Sequence, residues 1–137
     1  MDKSIQELMD DTQKLINIKK HFFNVGTIPS EEDIKTLEKL SQKGFLMASF
    51  LLGVAHVFGL STSCNPYEAD RYFDSLIKNK DTDKSILFQI ANYYVGMGEE
   101  WKDKAMIALN LAASKGHPLA IRMVEEMEKN PFNIIKA

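Results

Sequence analysis

The sequence predicts an all-α protein, an α-α superhelix (solenoid) of stacked antiparallel helix pairs with about seven helices. Three observations predict it. The chain resembles itself at a spacing of about 36 residues, short polar side chains stand where helices would begin, and glycines stand where helices would end. One helix pair cannot bury its apolar face alone, so successive pairs are expected to stack and form the core.

The internal repeat is clearest around two glycines. Residues 41–48 (SQKGFLMA) resemble residues 113–120 (ASKGHPLA), and their glycines, Gly44 and Gly116, are 116 − 44 = 72 positions apart. Half of that spacing, 105 − 69 = 36, separates Ala69 from Ala105. A period in this range is typical of repeats in which each unit is one pair of helices.

Helix start and stop signals divide the chain into seven segments. Ser4, Ser30 and Asn65 each precede an acidic residue by three positions, the capping-box arrangement of a helix start. The glycines predicted to end helices are Gly26, Gly44, Gly59, Gly96 and Gly116. The predicted helices are 3–24, 31–43, 45–58, 66–78, 83–96, 101–115 and 118–129.

The segment from Phe45 to Leu60 is uncharged and mostly apolar, so a membrane span is an alternative to a buried helix. Sixteen residues rise only about 24 Å as a helix, which is short of the roughly 30 Å hydrocarbon core of a bilayer. His56 and two glycines also interrupt the segment. A core helix without membrane insertion is therefore predicted.

The composition of the chain limits the kinds of molecule that the protein is expected to bind. The 17 basic and 19 acidic residues of the 137-residue chain nearly cancel, and no basic stripe exists, so nucleic acid is not an expected partner. The single cysteine, Cys64, cannot form an internal disulfide, and the first residues lack the apolar run of a secretory signal. A single domain spanning residues 1–137 and a cytoplasmic location are the expectations.

Motifs in the second half of the chain resemble a known repeat family. They are Tyr93, residues 96–98 (GMG), residues 103–105 (DKA) and residues 112–117 (AASKGH). This pattern is similar to the Sel1-like repeat, a relative of the tetratricopeptide repeat. The resemblance implies a right-handed stack of helix pairs and a role in assembling protein complexes.

The resemblance covers roughly residues 44–129. Ala48, Leu52, Gly53 and Gly59 match the preceding repeat, although His56 stands where the family has an aromatic residue. Beyond these limits, residues 1–43 are expected to form a divergent N-terminal helix pair. Residues 130–137 are expected to be a C-terminal tail that covers the end of the stack, with a dimer contact as the alternative.

No catalytic, cofactor or metal site is predicted. His21, His56 and His117 have no neighbouring acid or cysteine at the spacing of metal ligands, and Cys64 has no histidine near it in sequence. His56 and His117 are therefore predicted to be structural, and the protein is not expected to be an enzyme.

Function is expected on the concave face, which the first helix of each pair lines in such solenoids. Tyr94 and Arg122 are the predicted anchors, because aromatic and guanidinium groups dominate interface hot spots. The residues predicted to bind protein are Phe50, Val54, Leu87, Gln89, Asn92, Tyr94, Arg122 and Glu126.

The predicted function is that of a bacterial-type, cytoplasmic, non-enzymatic scaffold or adaptor, a monomer or weak dimer that binds another protein or peptide. The alternative is an immunity or inhibitor protein that neutralises a single toxin or enzyme. Affinity distinguishes the two, because an inhibitor binds one partner very tightly whereas a scaffold binds one or several at moderate strength.

Overall fold

Seven α-helices account for most of the chain in a computed structural model that describes residues 3–129. Each predicted boundary lies within one residue of the observed one, and the described residues include no strand, so the all-α prediction is confirmed. The helices are α1 (Lys3–Phe23), α2 (Glu31–Gln42), α3 (Leu46–Phe58), α4 (Pro66–Ile77), α5 (Lys84–Met97), α6 (Lys102–Ser114) and α7 (Pro118–Lys129). A 3₁₀ turn that the sequence did not predict, Glu99–Trp101, precedes α6.

Two of the three predicted helix starts are confirmed. Ser30 and Asp33 form a reciprocal capping box at the start of α2. The Asn65 side chain accepts hydrogen bonds from the first amide groups of α4, at 3.0 and 3.3 Å. The prediction for Ser4 is wrong, because α1 already includes Lys3 and Ser4 lies inside the helix.

Four of the five glycines predicted to end helices have positive φ angles, and the fifth prediction is wrong. Helix α3 ends at Gly59, whose φ of 70° is the left-handed conformation that glycine adopts without strain. Helix α5, however, continues through Gly96 to Met97 and ends at Gly98, whose φ is 123°. The sequence offered two glycines two positions apart, and the first remains helical.

The chain divides into two compact units, residues 1–73 and 74–137, and the division falls within α4. In the first unit α2 packs on α3, and α1 contacts both helices. Helix α3 is buried along most of its length, as predicted for the core helix. Among the described residues no helix is long and apolar enough to cross a membrane.

In the second unit α6 packs against both α5 and α7. The loop before α5 is held by Thr82, which is fully buried and donates to the carbonyl of Leu76 at 2.6 Å. The ammonium group of Lys115, after α6, donates to the carbonyls of Lys80 and Thr82. The predicted C-terminal tail lies outside the described residues.

Candidate functional site

An apolar groove runs along α6 in the second unit, between α5 and α7. It encloses about 200 Å³. It is lined by Ala91, Asn92 and Val95 of α5, Ala105, Met106 and Leu109 of α6, and Met123 of α7.

The groove exists because small residues occupy the contact between α5 and α6. Ala91 and Ala105 are buried, and their methyl groups leave space that a longer side chain would fill. Leu109 is also buried, and together these three residues form the floor of the groove. Val95, Met106 and Met123 are partly exposed and form its walls. Methionine is flexible and polarisable, so this part of the wall can adapt to the shape of an inserted group.

Four of the predicted binding residues are exposed at this groove or beside it. Asn92 lines it directly, and Gln89 lies three positions earlier on the same side of α5. On α7, Glu126 lies three positions after Met123, and Arg122 directly precedes Met123. Asn92 is thus the one polar residue among those that line the groove, and Gln89 and Glu126 each lie one helical turn from a lining residue.

The other four predicted binding residues lie in the core, and their assignment to an exposed face is wrong. Phe50 is 2% exposed and packs at 6.3 Å between ring centroids against Phe73. Val54, Leu87 and Tyr94 are also buried. The sequence-based prediction placed these residues on an exposed concave face, but large apolar side chains gain more from burial than from exposure.

Tyr94, the predicted aromatic anchor, is fully buried. Its ring stacks on Trp101 with 6.0 Å between centroids. Trp101 belongs to the unpredicted 3₁₀ turn, so the neighbour that covers Tyr94 could not be inferred from helical periodicity. Truncating Tyr94 would therefore open a cavity in the core rather than remove a contact with a partner.

Sequence reasoning missed the groove's apolar walls. Val95, Met106 and Met123 line the groove, yet none was among the predicted residues. A signal was available, because Val95 lies three positions after Asn92 on the same side of α5. The two methionines gave no such signal, since they come from helices that sequence spacing does not relate to α5.

One aromatic contact connects α5 with the beginning of α7. Phe88, one turn before Asn92, stacks on His117 with 4.3 Å between ring centroids and 16° between ring planes. The Nδ1 atom of His117 also accepts a hydrogen bond from the amide of Ala120, at 3.3 Å, in the first turn of α7. His117 is thus a helix cap and a packing group, which confirms its predicted structural role.

The other histidine predicted to be structural is also confirmed. His56 is buried and its Nδ1 donates to the carbonyl oxygen of Ser63 at 3.0 Å. Its ring stacks on that of Tyr72 with 5.9 Å between centroids. Cys64 is exposed in the same loop and its thiol bonds to the carbonyl of Val57.

The resolved pKa shifts belong mainly to ion pairs outside the groove. Hydrogen bonds from Lys78 and Lys104 lower the pKa of Asp74, and the hydrogen bond from Arg71 lowers the pKa of Glu68. Among the described residues, none with a titratable side chain lines the groove. Residues 3–129 contain no group of three or more His, Cys, Asp or Glu side chains arranged to hold a metal ion.

Comparison of the chain with protein-family models, with curated proteins and with solved structures finds no match.

Proposed function

We propose that this protein is a non-enzymatic binding module of the Sel1-like kind, and that the groove along α6 receives apolar side chains from a partner protein. The observation that carries the proposal is an apolar groove with one polar lining residue, Asn92. The apolar lining offers burial, Asn92 offers hydrogen bonds at the groove, and the exposed residues Gln89, Arg122 and Glu126 on α5 and α7 are available to the same partner. A cytoplasmic location, inferred from the single cysteine, is part of the same proposal.

The size of the groove favours a side chain over a small molecule. Sites for small molecules and cofactors usually enclose about 300–1,000 Å³, whereas this groove encloses about 200 Å³. Such a volume suits one or two side chains of a peptide segment whose backbone remains at the rim. Asn92 can serve that backbone well, because its amide both donates and accepts hydrogen bonds.

The chemistry of the groove also favours binding over catalysis. Its lining consists of alanine, valine, leucine, methionine and one asparagine. None of these side chains can act as a general acid, a general base or an activated nucleophile near neutral pH. The charged residues Arg122 and Glu126 are exposed to solvent and are not among the residues that line the groove.

The first experiment is affinity capture of partners from a lysate of the native host, followed by titration of each purified partner. Val95→Lys places a charge in the groove, at a residue 39% exposed in the folded protein. Ile121→Lys is the matched control, because Ile121 is 36% exposed on α7 and does not line the groove. We expect Val95→Lys to weaken binding at least about tenfold and Ile121→Lys to leave it unchanged.

Two results would refute the groove as the binding site. One is equal affinity of the Val95→Lys variant and the wild type, with both folded by circular dichroism. The other is equal weakening by Ile121→Lys, which would indicate a general effect of added charge. Affinity also separates the two classes of function: one partner at about 1 nM or tighter indicates an inhibitor, and micromolar binding indicates a scaffold.

A further inference from the structure

The groove along α6 lies at the end of the second unit where the chain leaves α7. Its lining residues come from the second half of α5, the first eight residues of α6 and the middle of α7. Helices α5 and α7 both pack against α6, and short connections, residues 98–101 and 115–117, join them to it. Both therefore run antiparallel to α6, so the C-terminal ends of α5 and α7 lie at the same end of the unit.

The stack of Phe88 on His117 agrees with this direction. It places the start of α7 beside the first half of α5. Met123, which lines the groove, follows farther along α7, and Met127 lies one turn later on the same side of the helix. Met127 is partly exposed and precedes the last helical residue, Lys129, by two positions. The side of α7 that lines the groove therefore extends to the point where the tail begins.

The tail, residues 130–137, is apolar at its centre. Its sequence, NPFNIIKA, places large apolar side chains at Phe132, Ile134 and Ile135 and has no acidic residue. Pro131 disfavours a helical conformation at the residue before it, so the chain is expected to leave the direction of α7 there. An apolar segment thus directly follows the helix whose side lines an apolar groove, and contact between the two removes both from water.

We propose that the tail binds in the groove of its own chain, with the side chain of Phe132 inserted between Met106 and Met123. A bound tail closes the groove to other proteins, so a partner has to displace it. The occupancy is a property of this chain alone, whereas the competition rests on the proposed function of the groove.

The length of the connection favours the groove over other apolar side chains of α7. Phe132 lies three residues after Lys129, which is at most about 10 Å of extended chain. Met123 lies six residues before Lys129, about 9 Å along the helix axis. The exposed residues Leu119 and Ile121 lie ten and eight residues before Lys129, about 15 and 12 Å away. Phe132 is therefore placed to reach the groove in preference to those two residues.

The size and lining of the groove suit an aromatic side chain. The volume of about 200 Å³ is that of a site for one or two side chains. Met106 and Met123 lie on two of its walls, and methionine sulfur makes favourable contacts with aromatic rings. A short connection also keeps the tail near the groove at an effective concentration in the millimolar range, so a contact that is weak between separate molecules suffices for occupancy.

Oxidation of methionine by dilute hydrogen peroxide, followed residue by residue by mass spectrometry on the full chain, measures the occupancy. The tail variant carries Phe132→Ser, Ile134→Ser and Ile135→Ser. Its Met106 and Met123 should oxidise at least about threefold faster than those of the wild type, because a tail held at millimolar effective concentration no longer shields them.

Two controls separate release of the tail from a general loosening of the fold. Met9 on α1 is 53% exposed and belongs to the first unit, so its oxidation rate should be the same in both chains. Asn133→Ser changes the tail without removing an apolar side chain, and its methionines should oxidise like those of the wild type. Circular dichroism should show equal helicity in all three chains.

Methyl resonances of the methionines identify the inserted group. Phe132→Leu keeps an apolar side chain but removes the aromatic ring and its effect on nearby nuclei. This variant should move the methyl resonances of Met106 and Met123 and leave those of Met9 and Met47 in place. Unchanged resonances of Met106 and Met123 would exclude Phe132 as the inserted side chain.

The affinity of a purified partner tests the competition. If the tail closes the groove, a partner should bind the tail variant more tightly than the wild type, by the same factor as the increase in the oxidation rate of Met123. Equal affinity for the two chains would exclude competition by the tail.

Two results would overturn the occupancy itself. One is equal oxidation of Met106 and Met123 in the wild type and the tail variant, which would show that the groove is open when the tail is present. The other is an increase at Met9 as large as that in the groove. Neither measurement needs a partner, so failure here leaves the proposed function standing, and failure to find a partner leaves the occupancy standing.

Discussion

Replacing Gly53 with alanine tests how closely α3 and α4 pack. A methyl group at Gly53 would lie 2.7 Å from Cδ1 and 2.9 Å from Cζ of Phe73, well inside normal contact distance. The ring cannot retreat into solvent, because Phe73 is fully buried and packs against Phe50. Overpacking of this kind costs about 1–3 kcal/mol.

Alanine also favours the helical state over glycine by about 1 kcal/mol, which offsets part of that cost. Gly96 provides the matched control: it lies inside α5, and a methyl group there would meet no atom within 4 Å. Gly96→Ala should therefore stabilise the protein by about 0.5–1 kcal/mol. Gly53→Ala should be less stable than Gly96→Ala by about 1–3 kcal/mol, since the propensity gain is common to both.

Urea unfolding followed by circular dichroism measures both variants. The fluorescence of Trp101, the only tryptophan, reports separately on the second unit. Coincident transitions by the two probes would justify a single free energy of unfolding. If Gly53→Ala proves as stable as Gly96→Ala, the argument that glycine is required for close approach of α3 and α4 is wrong.

Two further predictions concern the second unit. Lys78 and Lys104 lower the pKa of Asp74 in the folded protein below its unfolded value of 3.8. The ionised Asp74 carboxylate therefore contributes its full stabilisation well above pH 3.8, and this stabilisation is lost as the pH falls through the lower pKa of the folded state. Asp74→Asn should cost less than about 1 kcal/mol at pH 7. In urea unfolding this difference from the wild type should shrink progressively as the pH falls below 3.8; a difference that stays constant with pH would contradict the assignment. His117→Ala should cost about 1–2 kcal/mol, because it removes both the cap of α7 and the stack on Phe88. His117→Asn, which can still cap, should recover part of that loss in the same assay, and equal losses would exclude the capping role.

The sequence determined the helices because their signals are local. Ser30 with Asp33, and Asn65 before Pro66, satisfy amide groups within one turn of a helix start, so each can be recognised from neighbouring residues. The apolar residues of α3 likewise predicted a core helix from its composition. The failure at Gly96 is also local in origin, because Gly98 could end α5 equally well and no sequence rule chooses between them.

Tertiary packing decided which sides of those helices remain exposed. Periodicity shows that Tyr94 and Asn92 occupy different sides of α5, but Trp101 from the 3₁₀ turn determines that Tyr94 is the buried one. The groove depends on three helices at once: Met123 reaches it only because α7 packs on the same helix as α5. A single chain's sequence carries hydrophobicity and spacing along each helix, whereas exposure depends on contacts between residues far apart in that sequence, and only the folded structure contains those contacts.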